Sequence, residues 1–241
     1  MMKVDTGIIK SNTYIGKDVY KMEIQTDLAD EVKCGQFVEV EVPSYFLRRP
    51  ISVCEVKEDH TIVLVYKVVG DGTRFMTTMH DEISLFGPCG NGFPVVDEDV
   101  LLIGGGVGVP PMYNLCKVLI NEGKNVKVIL GFNSADDVFY ESEFKALGAD
   151  VYVATADGSY GTKGFVTDVL KDIDYSYFYT CGPISMFKAI ENIAKTSGQY
   201  SFEERMGCGF GACMGCSCKT KYKNIRICKD GPVLEREVIV W

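Results

Sequence analysis

Five of the ten cysteines fall between residues 208 and 228, in a segment that opens Cys208-Gly-Phe-Gly-Ala-Cys213-Met-Gly-Cys216-Ser-Cys218 and reaches Cys228 twelve residues after Cys216. The C-x4-C-x2-C opening is the spacing of plant-type [2Fe–2S] sites. A dinuclear cluster asks two thiolates of each iron, so one tight loop can supply three ligands and a later residue, Cys228, the fourth. Gly207, Gly209, Gly211 and Gly215 let the backbone wrap closely and aim N–H groups at the sulfurs, which tunes the potential. Structural zinc is the competing reading. Zinc sites usually pair two Cys-x2–4-Cys knuckles, whereas Cys213–Cys216 gives one and Cys228 has no neighbour to complete a second. Cys218, two positions from Cys216, would point away from that neighbour in an extended segment and reads as a packing residue beside the site. The other five cysteines are scattered, as small buried apolar residues are.

Other segments have the chemistry of anion and nucleotide binding. Leu101-Leu-Ile-Gly104-Gly105-Gly106-Val-Gly108-Val-Pro110-Pro111 runs from a predicted strand into a predicted helix, where glycines admit a pyrophosphate and free N–H groups attract it. Val109 stands where a strict G-x-G-x-x-G has its last glycine, and a tight strand–helix connection is the plainer reading. Thr180-Cys181-Gly182-Pro183 ends another strand on the same carboxyl edge of the sheet and strengthens the nucleotide reading. Arg48-Arg49-Pro50-Ile51-Ser52 leads from a loop into a strand, where two arginines can grip a phosphate or form an ordinary solvated pair. Val65-Tyr66-Lys67 leads to Gly70-Asp-Gly72-Thr73, whose N–H groups can take a second pyrophosphate. Tyr66 can face an aromatic ring or be an ordinary strand residue.

The elements that must position these residues follow from the period of the apolar pattern. Residues 1–96 read as short strands (19–26, 36–42, 51–56, 61–69 and 82–86) of a small antiparallel barrel. Residues 97–198 alternate strands (100–103, 125–131, 151–155, 175–180) with helical stretches (111–121, 141–147, 165–170, 184–196), the pattern of a parallel α/β sheet. Residues 199–241 begin with a short strand, become Gly/Cys-rich and end in a strand-like tail over 237–241. That last region is too small to fold on its own core and calls for a metal staple. The expected fold class is therefore α+β in three parts.

Composition sets the outer limits. Hydrophobic residues make up 46% and charged residues 24%, the balance of an ordinary globular protein. A net charge of -8 with no basic block argues against nucleic-acid binding. The N-terminal Met-Met-Lys-Val-Asp-Thr-Gly has no apolar h-region, and no apolar run is long enough to span a bilayer. A cytoplasmic location is expected, where ten cysteines stay reduced.

Taken in order, these segments resemble the ferredoxin–NADP reductase superfamily and, more closely, its dihydroorotate dehydrogenase B electron-transfer subunits. Arg49-Pro50-Ile51-Ser52 matches the superfamily's Arg-x-x-Ser flavin motif, and Gly72-Thr73 its flavin diphosphate turn. Gly87-Pro88-Cys89-Gly90-Asn91-Gly92-Phe93 resembles its interdomain link, and Gly104–Pro111 with Cys181-Gly182-Pro183 its nicotinamide-binding segments. Glu204-Arg205-Met206 followed by Cys208, Cys213, Cys216 and Cys218 resembles the subunit's cluster motif, and Cys228-x-Asp230-Gly231-Pro232-Val233 the surroundings of its fourth ligand.

The resemblance implies FAD on Arg49, Pro50, Ile51, Ser52, Val65, Tyr66, Lys67, Gly72 and Thr73. It implies NAD on Gly104, Gly105, Gly106, Gly108, Cys181, Gly182 and Pro183, and a [2Fe–2S] cluster on Cys208, Cys213, Cys216 and Cys228. It further implies an FMN-containing dihydroorotate dehydrogenase catalytic subunit as partner, in a heterotetramer of two plus two chains serving pyrimidine biosynthesis. Hydride transfer at FAD then needs no acid–base residue from this chain. NAD is favoured over NADP independently, because residues 132–142 carry Asp136, Asp137 and Glu141 but no Lys or Arg. Lys163 follows in a later loop. The rival readings are a related NAD(P)H:ferredoxin or oxygenase-type reductase subunit and, from another class, a zinc-stabilised binding module.

Overall fold

Period-two alternation builds the N-terminal half. In the computed structural model, which describes residues 2–241, β1 (Lys3–Gly16), β2 (Val19–Gln25), β3 (Phe37–Val40), β4 (Arg49–Lys57), β5 (Thr61–Lys67) and β6 (Glu82–Cys89) close into an antiparallel barrel. The strand order is β1-β2-β5-β4-β3-β6, and helix α1 (Asp71–Met76) lies between β5 and β6. Ile24, Val38, Val40, Ile62, Leu64, Tyr66 and Leu85 fill its interior. Strand β1 was not expected from the sequence. Of its residues only Gly7 and Ile9 are buried, so no apolar pattern marks it. It forms because it pairs with β2 on one side and β6 on the other, which closes the barrel and removes both edges.

The second half is a seven-stranded sheet built from β7 (Val100–Gly105), β8 (Val126–Phe132), β9 (Asp150–Thr155), β10 (Thr162–Lys163), β11 (Tyr177–Cys181) and β12 (Gly198–Ser201), with one strand more from the C-terminus. Helices α2 (Val109–Asn121), α3 (Glu141–Leu147), α4 (Val166–Leu170) and α5 (Ile184–Glu191) form the crossovers. All six residues of β7 and all five of β11 are buried, as central parallel strands must be. The helix expected over 184–196 ends at Glu191. Beyond it the chain continues as turns, with Ala194 N–H still bonded to the Ile190 carbonyl and Ile193 and Ala194 packed on the core.

The C-terminal region is woven into that sheet. The line drawn between residues 198 and 199 falls inside β12, which pairs in parallel with β11. After the hairpin β13 (Ser217–Lys219)–β14 (Asn224–Arg226) and the short helix α6 (Ile227–Asp230), β15 (Val233–Glu235) returns antiparallel to β12 and completes the order β10-β9-β8-β7-β11-β12-β15. The strand expected over 237–241 does not form. A 3-10 turn covers Arg236–Val238, Ile239 makes one bridge to Thr220, and the partly exposed Trp241 ring packs against Tyr200 (5.0 Å) and Phe202 (6.3 Å). Ring packing takes the place of a ladder there.

Barrel, sheet and tail meet at the link after β6. The Asn91 carboxamide donates to the Val233 carbonyl at 2.8 Å and accepts from the Val233 N–H at 3.0 Å, and the Asn91 N–H donates to the Gly231 carbonyl. Farther along, Tyr179 Oη donates to the Pro94 carbonyl and accepts from the Val96 N–H, both at 3.0 Å. The ion pair Lys117–Glu55 (2.8 Å) ties α2 to β4. Replacing Asn91 with Ala leaves both Val233 groups without those partners and is expected to cost about 1–3 kcal/mol. Denaturant unfolding of the purified chain measures this, and a loss under about 0.5 kcal/mol would show that the clamp is dispensable.

Candidate functional site: a thiol loop, a barrel face and a nucleotide cavity

The four expected cysteine ligands come together in twos. The N–H groups of Ala212 and Cys213 donate to Cys208 Sγ at 3.3 and 3.4 Å, which sets the free Cys208 thiol beside Cys213. Cys216 Sγ accepts the Cys228 N–H at 3.4 Å, which sets these two free thiols side by side. Cys216 and Cys228 are buried, Cys208 is half-buried and Cys213 is exposed. Among the described residues no three His, Cys, Asp or Glu side chains gather at one ion-sized point. Two thiol pairs, each with at least one backbone N–H on sulfur, fit the four-thiolate donor set that a [2Fe–2S] cluster would take. Cys218 lies outside both pairs, on β13 opposite Ile225, and packs half-buried against the core.

Electrostatics separates the two pairs. Burial alone would raise the Cys208 thiol, but the N–H groups of Cys213, Phe210 and Ala212, with the Cys213 side chain, bring it down to about 6. Burial first, and then the neighbouring Cys216, push Cys228 up to about 12. Below the loop, the Glu39 carboxyl lies directly under Gly209. Burial lifts its pKa to about 7 against the pull of Arg48, and among the described residues its Oε1 has no hydrogen-bond partner. The sequence reading missed Glu39. No local pattern marks it, because in Phe37-Val-Glu39-Val-Glu41-Val42 the exposed Glu41 shares the same alternation.

The expected flavin residues divide between the two faces of the barrel wall. On β4, Ile51 and Val53 point into the barrel core, so Pro50, Ser52 and Cys54 lie on the opposite face. On β5, Val65 joins the core shared with the parallel sheet and Lys67 reaches the large cavity described below. Tyr66 does not face a ligand ring. It is buried inside the barrel, stacked on Tyr20 (5.9 Å) and bonded to Asn12 Oδ1 (3.0 Å), so only its backbone is left for a ligand.

The two arginines also divide. Arg48 is spent on the barrel, donating to the carbonyls of Glu39 and Ser84, to Ser84 Oγ and to Glu41. Arg49 lies 5.1 Å over the Tyr45 ring with its guanidinium against Gly72, where a β-carbon would come within 2.4 Å of Arg49 Nε. Thr73 Oγ1 fixes that turn by accepting the N–H groups of Val69 (2.9 Å) and Gly70 (3.2 Å) and donating to the Gly70 carbonyl (3.0 Å). A cation and a glycine turn thus converge, as a diphosphate requires.

A cavity of about 590 Å³ opens along the carboxyl edge of the parallel sheet. Gly105, Gly106 and Gly108 line its middle and Gly182 with Pro183 one side, whereas Gly104 and Cys181 lie behind, buried in their strands. A β-carbon on Gly108 would sit 2.2 Å from the Cys181 carbonyl oxygen, so glycine is what lets the two loops touch. Burial pushes the Cys181 thiol well above its ordinary range, which leaves it neutral. Asp137, Phe165 and Glu203 also line the cavity, and the sequence reading singled out only the first. Glu203 is open to the cavity, yet the protein mass around its carboxyl raises its pKa. Its position just past the carboxyl end of a parallel strand is the mark that identifies it. In the metal-free chain, alkylation of Cys208 should rise with pH through a midpoint near 6 and then level off, while Cys228 stays unreactive at neutral pH. Site-resolved mass spectrometry reads both rates. A Cys208 rate still climbing near pH 8.5, as an unperturbed thiol's does, would contradict the hydrogen-bonded thiolate.

Comparison with known proteins agrees with this layout. The family described as "Iron-sulfur cluster binding domain of dihydroorotate dehydrogenase B" matches residues 203–240, and "Oxidoreductase NAD-binding domain" matches residues 102–192. The chain is 43% identical, over 96% of both chains, to a Fusobacterium nucleatum subsp. nucleatum protein named dihydroorotate dehydrogenase B (NAD(+)), electron transfer subunit. A protein of the same name from Bacillus cereus (strain G9842) is 42% identical over 97% of both chains. Among solved structures, the NADH-dependent reduced ferredoxin-NADP oxidoreductase superposes with a TM-score of 0.89 at 29% identity, covering 98% of this chain and 90% of that one. A cytochrome P450 reductase from Amycolatopsis has a TM-score of 0.70 at 24% identity over 79% of this chain and 66% of its own, a likeness of fold. Identity at this level along the whole chain, with the cluster family matched at the end that carries the paired thiols, settles membership. The chain belongs to the family of dihydroorotate dehydrogenase B (NAD(+)) electron transfer subunits.

Proposed function

We propose that this chain takes electrons from an FMN-containing dihydroorotate dehydrogenase catalytic subunit and delivers them to NAD+, in a cytoplasmic heterotetramer of two plus two chains that serves pyrimidine biosynthesis. The observation that carries the reading is the pairing of the four thiols beside a barrel and sheet that present a flavin-type face and a nucleotide cavity. In this reading residues 1–96 hold FAD, residues 97–198 hold NAD, and residues 199–241 hold the cluster. Bound FAD supplies the conversion between single electrons and a hydride. Arg49, Gly72 and Thr73 hold its diphosphate, and Pro50, Ser52 and Val65 present the surface beside it. Cys208 with Cys213 would hold one iron and Cys216 with Cys228 the other. Gly105, Gly106, Gly108, Gly182 and Pro183 hold the dinucleotide, with Gly104 and Cys181 setting the two loops behind them. No side chain of this chain moves a proton in the hydride step.

The NAD preference rests on one carboxylate. Asp136 is exposed, and Glu141 is spent on Lys145 (2.6 Å) and Tyr160 (2.8 Å). Asp137 alone of the three lines the cavity, from the 3-10 turn Ala135–Asp137 that follows β8, with Oδ2 held by Ser134 Oγ at 2.9 Å. A carboxylate there accepts the ribose 2′-hydroxyl and repels a 2′-phosphate. Asp137→Ser should therefore lower kcat/KM for NADH about tenfold and narrow the preference over NADPH. An unchanged ratio would move the discriminator elsewhere.

The likeness to the NADH-dependent reduced ferredoxin-NADP oxidoreductase supports a second reading, a flavin subunit of that enzyme type. Co-purification separates the two, since an FMN-containing dehydrogenase as partner, with dihydroorotate-dependent NAD+ reduction, supports the first. Anaerobically purified protein should show flavin bands with iron–sulfur absorption, and Cys213→Ser should lose iron while keeping FAD. A colourless, zinc-containing chain overturns both readings.

A further inference from the structure

We infer that Arg226 is the positioning residue of the cluster site, the side chain that fixes the Cys208–Cys213 pair against the Cys216–Cys228 pair. The inference rests on the [2Fe–2S] reading of the four thiols. Arg226 ends β14, where it lies opposite Ser217, the residue after Cys216. The next residue, Ile227, donates its N–H to the Cys216 carbonyl at 3.1 Å, and Cys228 follows on α6. The backbone of Arg226 therefore belongs to the half of the site that carries Cys216 and Cys228.

Its guanidinium reaches the other half. Nη1 donates to the Gly211 carbonyl at 2.9 Å, midway along the span from Cys208 to Cys213. The fork is held in that orientation by Asp230, whose Oδ2 accepts both Arg226 Nε and the Arg226 backbone N–H at 3.0 Å while Oδ1 takes Nη2 at 3.4 Å. Three directions of one planar cation are used at once, and the side chain is only 26% exposed. A lysine has the charge but not the fork. The alternative role, a surface ion pair between residues four apart, leaves the Gly211 bond unexplained. The guanidinium on the Gly211 carbonyl puts a fixed positive charge against the thiol loop, where it favours the more negative, reduced form of a centre held there.

Arg226→Lys and Arg226→Gln separate geometry from charge, with Cys213→Ser as the control for the cluster itself. In the full complex, both Arg226 variants should release iron to a chelator about tenfold faster than the parent, with FAD content and melting temperature unchanged. Arg226→Lys should keep the cluster's midpoint potential near the parent value, and Arg226→Gln should shift it to a lower potential. Parent-like iron release in Arg226→Lys shows that charge suffices and overturns the positioning role. So does loss of FAD or a lowered melting temperature together with iron, which marks a general defect in folding. Iron retained in Cys213→Ser would instead remove the cluster reading on which the inference stands.

Discussion

The two hydrogen bonds between the Asn91 carboxamide and the backbone of Val233 fix the relation among all three parts of the molecule. Asn91 follows the last barrel strand, and Val233 opens the last strand of the parallel sheet. Only residues 229–232 separate Val233 from Cys228 on α6. An amide suits this junction because it donates and accepts at once, matching both groups of a backbone residue that a sheet edge would otherwise leave to water. The cluster loop is thereby attached to barrel and sheet through one point of known geometry. A region too small to carry its own core borrows rigidity from two larger ones.

The parts of this arrangement that the sequence displayed are those where chemistry and local pattern coincide. Cysteine spacing marked the thiol site, and apolar runs ending in Gly-rich turns marked the parallel strands and their cavity. What the sequence hid depends on pairing over long distances. Strand β1 has almost no apolar face and exists because two other strands need an edge covered. Strand β12 looked like the start of a new region, because nothing local says that Gly198–Ser201 lies beside β11. The division of labour between Arg48 and Arg49 is invisible in a dipeptide and decided by register, which turns one side chain toward Ser84 and the other toward Gly72. Tyr66 shows the same logic in reverse, since a one-residue alternation sends its ring inside the barrel and leaves Val65 and Lys67 outside.

The thiol loop is asymmetric in the charge it can hold. Backbone N–H groups favour the thiolate at Cys208 near neutral pH, whereas Cys228 sits in buried surroundings that favour its proton. Binding of a cation between Cys216 and Cys228 must therefore displace a proton, and affinity at that pair rises with pH. The other pair is open to solvent at Cys213. A metal centre assembled here would be anchored by the buried pair and reachable from solvent at Cys213.

Covalent geometry then sets how far apart the three sites can lie. Glu203 lines the nucleotide cavity, and Cys208 follows five residues later. At 3.3–3.6 Å per extended residue, their backbones can be separated by no more than about 18 Å. On the barrel side, Glu39 lies under Gly209 of the thiol loop and is register-paired with Pro50 of the flavin-type motif. Paired strands run about 4.8 Å apart, so that motif begins one strand spacing from the residue beneath the loop. Neither closeness depends on a flexible segment. One is fixed by chain length after β12 and the other by the β3–β4 ladder, so the nucleotide cavity, the barrel face and the thiols are neighbours through the backbone itself, before any cofactor binds.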